Sequence, residues 1–171
     1  NAFPEEGAPP CPTTEYGRQK AEAEARLFDL DRGRGYVGVS RLSKVIAPSV
    51  PVIRRFIDGL GERRPIEAFS DLMLSPVSAD YAAASLLAVA RARLGGICHC
   101  SGDSELSYAD FARALASRLG VPASYVTTIE SRDRGVASLY RPVHSSLGMA
   151  ATRKKLNLSP QPLDDAITAL L

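Results

Sequence analysis

A chain of 171 residues and 18.3 kDa, 45% hydrophobic and 23% charged, is long enough to bury a core and too apolar to be disordered. Lys+Arg 21 against Asp+Glu 19 leaves a net charge of +2, which argues against a nucleic-acid binder relying on bulk charge. Three cysteines and two histidines exclude a disulfide scaffold and disfavour a zinc finger, and no apolar run or signal-like segment points to a membrane, so a soluble cytoplasmic domain is expected.

Residues 1–12, Pro-rich and acidic without periodicity, read as a surface loop. Thr13 or Thr14 is placed to cap a helix through EYGRQKAEAEARLFDL, rich in strong helix formers, with a stop at Asp31-Arg32-Gly33. Val37 and Val39 suit a short buried strand ending near Ser43. Beyond a loop containing Pro48 and Pro51, residues Val52, Ile53, Phe56, Ile57 and Leu60 mark a helical face that Gly59 and Gly61 end. Ile66–Phe69 and Leu72–Leu74 read as short extended segments. Ser78 caps an Ala-rich helix closed by Gly95-Gly96, and Ile97–Cys100 reads as a strand. Ser107 and Asp110 resemble a capping box for YADFARALASRL, Val126–Ile129 a further strand, Arg132–Ser146 an irregular stretch and LDDAITALL a closing helix. Helices alternating with strands argue an α/β fold.

Three motifs carry chemistry. Gly33-Arg34-Gly35-Tyr36-Val37-Gly38 matches the G-x-G-x-x-G dinucleotide pattern, but a helix precedes it and a strand follows, the reverse of the order that presents free amides to a pyrophosphate, so it reads as a helix stop and turn. Cys98-His99-Cys100 on a strand points its thiols to one face and the imidazole to the other, which favours a buried strand over a metal site. Tyr16 and Lys20, one helical turn apart, share a helix face. An ammonium beside a phenol favours the phenolate and suits the phenol to proton exchange at a carbonyl or alcohol oxygen. Taken alone, the spacing equally describes a surface pair.

Several segments in order carry a resemblance: Tyr16-Gly17-Arg18-Gln19-Lys20 with AEAEARL, SRLSKVIAP (40–48), DLMLSPVSADYAAASLLAV (71–89), GGICHCSGDSELSYADFARAL (95–115), and Arg141-Pro142 with the tail HSSLGMAATRKKLNLSPQPLDDAITALL. Across nearly the whole chain they resemble the extended short-chain dehydrogenase/reductase superfamily, most closely its dTDP-4-dehydrorhamnose reductase group. The resemblance implies the C-terminal part of a Rossmann-like doubly wound sheet plus a small α/β substrate-binding domain. Residues 1–49 would close the dinucleotide-binding domain and carry the catalytic helix; 50–171 would form mainly the substrate domain, with segments near 70–100 returning to the sheet. It implies NAD(P)H-dependent reduction of a 4-keto nucleotide sugar, with Tyr16 as proton donor and Lys20 holding the nicotinamide ribose and acidifying the phenol. The stretch Ser43, Lys44 and Val45 would border the nicotinamide of NADP or NAD, with Arg141 and Lys44 toward the substrate diphosphate. Where the group usually carries an aromatic residue this chain has Lys44, which meets a phosphate or carboxylate or is simply solvated. Arg54, Arg55, Arg63 and Arg64 read as solvated charges, and Arg153-Lys154-Lys155 as a helix surface.

The group's Gly-rich phosphate loop and active-site Ser or Thr would lie ahead of Asn1. The expected partners are therefore a nucleotide-sugar substrate, a missing N-terminal half or complementary segment and, as an option, a second copy in a homodimer; nucleic acid and membrane are not among them. A truncated relative without activity is disfavoured, since a half-sheet leaves apolar strands unpaired. The rival readings are an epimerase or dehydratase of the same superfamily and a non-catalytic regulatory or binding subunit.

Overall fold

The computed structural model describes residues 4–137 and 144–171. Helix α1 (Glu15–Asp31) starts at Thr14, whose hydroxyl accepts the Gly17 amide at 3.0 Å, so Thr14 rather than Thr13 is the cap. It stops as expected, with positive φ at Arg32 as well as Gly33 (50° and 73°). Strand β1 (Gly38–Leu42) follows, half-buried rather than fully buried. Past Ser43 the patterning predicts a loop, but the chain stays extended as β2 (Lys44–Ile46). The reason is a change of partner: β1 pairs in parallel with β6 (Gly96–Cys100), whereas β2 pairs in parallel with β5 (Pro76–Ser78).

Helix α2 (Pro51–Gly61) buries Ile53, Phe56 and Leu60, the predicted face. Gly59 does not end it. This glycine lies inside the helix because a Cβ there would meet Ile66 Cγ2 at 2.4 Å, so its absence lets β3 (Ile66–Phe69) pack close. Short β4 (Met73–Leu74) precedes β5, and Ser78 caps α3 (Ala79–Arg91) by accepting the Tyr81 amide at 3.1 Å. Beyond β6, β7 (Leu106–Ser107) pairs antiparallel with β4, and Ser107 caps α4 (Tyr108–Arg118) in a box with Asp110. Strand β8 (Val126–Ile129) pairs in parallel with β3. Helices α5 (Ala150–Leu156) and α6 (Leu163–Thr168) close the chain. The result is a mixed α/β fold. Its main core joins α2, α4 and α6 to the β3–β8 pair, with Phe56, Phe111, Ile53 and Leu115 fully enclosed. A smaller cluster of Val77, Ala82 and Cys100 sits where β5, β6 and α3 meet. Among the described residues no helix is long and apolar enough to cross a membrane.

Polar side chains stitch the tail onto these layers. Buried Gln161 accepts the Ser78 amide (2.7 Å) and donates to the Ser78 hydroxyl (3.0 Å), while its main chain bonds Ser101 and Asp103. His99 is also buried: its amide donates to Thr152 Oγ1 at 2.9 Å and its Nδ1 lies 2.7 Å from the Gly148 carbonyl. The acidic lead-in is not wholly a surface loop, because Glu6 is buried and accepts the Thr152 (2.7 Å) and Ala151 (3.2 Å) amides at the start of α5. Burial pushes its carboxyl up, but those amides and the Thr152 hydroxyl outweigh it and hold the pKa at about 2 against an ordinary 4.5.

Two outcomes follow from this packing. Gly59→Ala lowers the urea midpoint, costing about 1–3 kcal/mol from overpacking in spite of better helix propensity; an unchanged midpoint would contradict the close approach of Ile66. For Glu6 the folded pKa lies below the unfolded one, so its contribution is complete above about pH 4.5 and is lost as pH falls toward about 2. Glu6→Gln should therefore be less stable than the parent at pH 7, with the gap between their urea midpoints narrowing across that window.

Candidate active site

Helix α1 buries only Asp31 among its 17 residues. A line of half-buried positions, Gly17, Ala21, Glu24 and Phe28, leads to it at helical spacing, so this stripe faces the protein. Phe28 is its one large apolar side chain, and polar bonds take over the docking. The Asp31 carboxylate accepts the amides of Gly35 (2.7 Å), Tyr36 (2.8 Å) and Val37 (3.1 Å), occupying the very N–H groups that a phosphate would need if the glycine-rich stretch were a nucleotide loop. Burial raises the Asp31 carboxyl, and these three amides with Arg34 more than offset it, leaving its pKa below the ordinary value.

Two turns earlier, Glu24 takes Arg41 of β1 in a bidentate pair, Nε to Oε1 at 3.0 Å and Nη2 to Oε2 at 2.6 Å. Contact of residue 31 with 35–37 and of residue 24 with 41 makes α1 run antiparallel to β1. At about 1.5 Å per helical residue and about 3.3 Å per strand residue, Lys20 is level with Ser43 and Tyr16 lies a turn further, off the carboxyl ends of β1 and β6. Open parallel sheets take their ligands at such strand ends. Tyr16 is 70% exposed, and the Lys20 ammonium stands 5.3 Å from its ring centroid, within cation–π range. The two side chains are therefore neighbours with open access.

Ser43 is the crossing point between the two strand pairs: its amide donates to Cys100 O at 2.9 Å and the next amide, of Lys44, to Ser75 O at 3.1 Å. The Ser43 hydroxyl is buried and has no hydrogen-bond partner among the described residues. Lys44 is exposed, and the Val45 side chain packs against the Val77 cluster, so Val45 offers a ligand its main chain. Arg141 lies outside the described residues. Just beyond, Glu105 accepts the Ser145 amide and hydroxyl and the Ser146 amide (3.2 Å), with His144 Nδ1 at 3.6 Å. Burial raises the Glu105 carboxyl, but the Ser145, Ser146 and His144 donors prevail and hold its pKa below the usual carboxylate range. Arg54, Arg55, Arg63 and Arg64 are exposed, as are Arg153, Lys154 and Lys155 on α5.

Sequence reasoning missed Glu24, Arg41 and Glu105. For Glu24 a signal existed, since it continues the Tyr16–Lys20 stride by one more turn. For the other two there was none, because their partners lie 17 and 40 residues away. A groove of about 450 Å³ runs along the flank of β1 between Tyr36, Ser40, Leu86 and Leu94, toward the amino end of the strand. Among the described residues β1 pairs on one edge only, with β6, and Tyr36 and Leu86 are exposed beside it.

A family described as the RmlD substrate binding domain matches residues 2–171. The chain is 24% identical, over 99% of its length and 57% of the other's, to a probable low-salt glycan biosynthesis reductase of Haloferax volcanii. Among solved structures it is similar to a dTDP-4-dehydrorhamnose reductase of Bacillus anthracis in complex with NADP (TM-score 0.82, 20% identity, 97% of this chain and 58% of that one). It is likewise similar to a dTDP-glucose 4,6-dehydratase of Streptomyces venezuelae with NAD bound (TM-score 0.76, 19% identity, 99% and 54%). These likenesses show a Rossmann-like fold. The chain spans little more than half the length of each of these relatives.

Proposed function

The chain belongs to the RmlD substrate-binding-domain family, and we propose that it is the catalytic-helix and substrate-binding part of an NAD(P)H-dependent reductase of a 4-keto nucleotide sugar. The observation that carries this reading is Tyr16 and Lys20 side by side and accessible on a helix that Glu24 ties antiparallel to β1. In this reading residues 1–49 complete a dinucleotide-binding domain and 50–171 are mainly the substrate domain, with segments near 70–100 returning to the sheet. The unpaired edge of β1 and the exposed Leu86 beside it receive the complementary nucleotide-binding half.

The residues present fit a nicotinamide cofactor. A buried hydroxyl without a partner costs about 1–3 kcal/mol, and Ser43 carries one at the strand ends. Among the described residues Lys20 forms no salt bridge, which leaves its ammonium available to ribose hydroxyls. When bound, the reduced nicotinamide supplies a hydride to the keto carbon. Tyr16 donates its phenolic proton to the oxygen as that oxygen gains charge, and the Lys20 ammonium stabilises the phenolate left behind. Ser43 to Val45 would border the nicotinamide with main-chain groups, within reach of which the buried Ser43 hydroxyl still lacks a partner among the described residues. Lys44, exposed beside them, and Arg141 bind the substrate diphosphate, where Arg offers bidentate contact.

The test is Tyr16→Phe in the full-length protein. Its kcat for reduction of a 4-keto nucleotide sugar should fall roughly 10²- to 10⁴-fold, with substrate KM little altered. Turnover at the parent rate would remove Tyr16 from the chemistry.

A further inference from the structure

Whether Tyr16 and Lys20 face the strand ends depends on how α1 is rotated about its own axis. Both lie on the flank of the stripe that faces the protein, so a modest roll of the helix would swing them out into solvent or into the body of the domain. Apolar packing supplies little resistance to such a roll, because the stripe consists of a glycine, an alanine, Phe28 and two carboxylates. Asp31 fixes the last turn of the helix. Among the described residues nothing comparable holds the turn that carries Lys20 except the contact one turn beyond it, from Glu24 to Arg41.

We propose that the Glu24–Arg41 ion pair is the positioning device for the proton donor and its lysine, with Arg41 and Glu24 acting as positioning residues through α1. This rests on the reading of Tyr16 and Lys20 given above. Three features single the pair out. Its geometry is bidentate, which constrains orientation as well as distance. Its side chains are only 20% and 18% exposed, whereas the other arginine–carboxylate pairs among the described residues, including Glu15–Arg18 and Glu22–Arg26 on the same helix, are far more open to water. It also joins the helix to the strand that runs into Ser43, so Tyr16 and the backbone at Ser43 share one reference frame. Asp31 and Glu24, seven residues apart, bind the same segment, 35–41. Asp31 holds the turn before β1 and Glu24 holds the strand itself, so the ion pair is the attachment that sets the roll of the helix against β1.

Glu24→Gln, Arg41→Gln and the charge swap E24R/R41E, each made in the full-length protein, test this by two readouts. Amide hydrogen exchange over residues 17–28 should speed up in both single variants while exchange in α4 (108–118) stays at the parent rate, which shows the fold intact. The kcat for sugar reduction should fall on the order of 100-fold, the effect of misplacing a reacting group by about 1 Å, with KM near the parent value, and the swap should restore both exchange and kcat. Unchanged exchange in α1, a loosened α1 with undiminished kcat, or a swap that restores neither would each overturn the proposal. Should Tyr16→Phe keep full turnover, the assignment of Tyr16 as proton donor fails on its own account and the exchange measurement alone decides the pair.

Discussion

Asp31 takes three amides of the turn that leads into β1, and Glu24 takes the guanidinium of Arg41 on that strand. These bonds stand in for the apolar contact that ordinarily docks a helix on a sheet, since α1 buries nothing else. A half-buried ion pair keeps more of its attraction than a surface pair, where solvent and salt screen it. It is also directional, so it fixes which way the helix faces. Through it the helix runs back along β1.

Polar side chains do similar work elsewhere. Glu6 accepts amides at the start of α5, Glu105 accepts those of Ser145 and Ser146, and Gln161 saturates its amide on Ser78. In each case a polar side chain satisfies main-chain groups that no helix or strand ladder pairs. Carboxylates serve well here because bonds from N–H groups to a charged acceptor are stronger than neutral ones. The apolar core meanwhile sits in the α2–α4–α6 layer around Phe56 and Phe111 and reaches Ile46 at the end of β2.

Much of the architecture was legible in the residues because it is local. Thr14, Ser78 and Ser107 each cap the helix they precede, and the helix-then-strand order was enough to disqualify the Gly33–Gly38 match, whose amides Asp31 indeed occupies. Tyr16 and Lys20 came together because four residues on a helix fix their relation. What sequence patterning misplaced was non-local. Gly59 looks like a helix stop until Ile66 is seen against it, and Lys44–Ile46 looks like a loop until β5 supplies its ladder. Glu6 sits in a Pro-rich lead-in and finds its partners 146 residues away at Thr152. No spacing rule connects such residues, so the polar bonds that set up the strand ends appear only in three dimensions.

The proposed hydride reduction of a keto sugar differs from an epimerisation or dehydration, which regenerates its nicotinamide, in where the hydride ends. It is tested most directly by incubating full-length protein with a 4-keto nucleotide sugar and reduced cofactor deuterated at the nicotinamide C4, then following the label by NMR. The product sugar should carry deuterium at C4, one for each reduced cofactor consumed. A product formed with no net loss of reduced cofactor and no deuterium at that carbon would contradict the account.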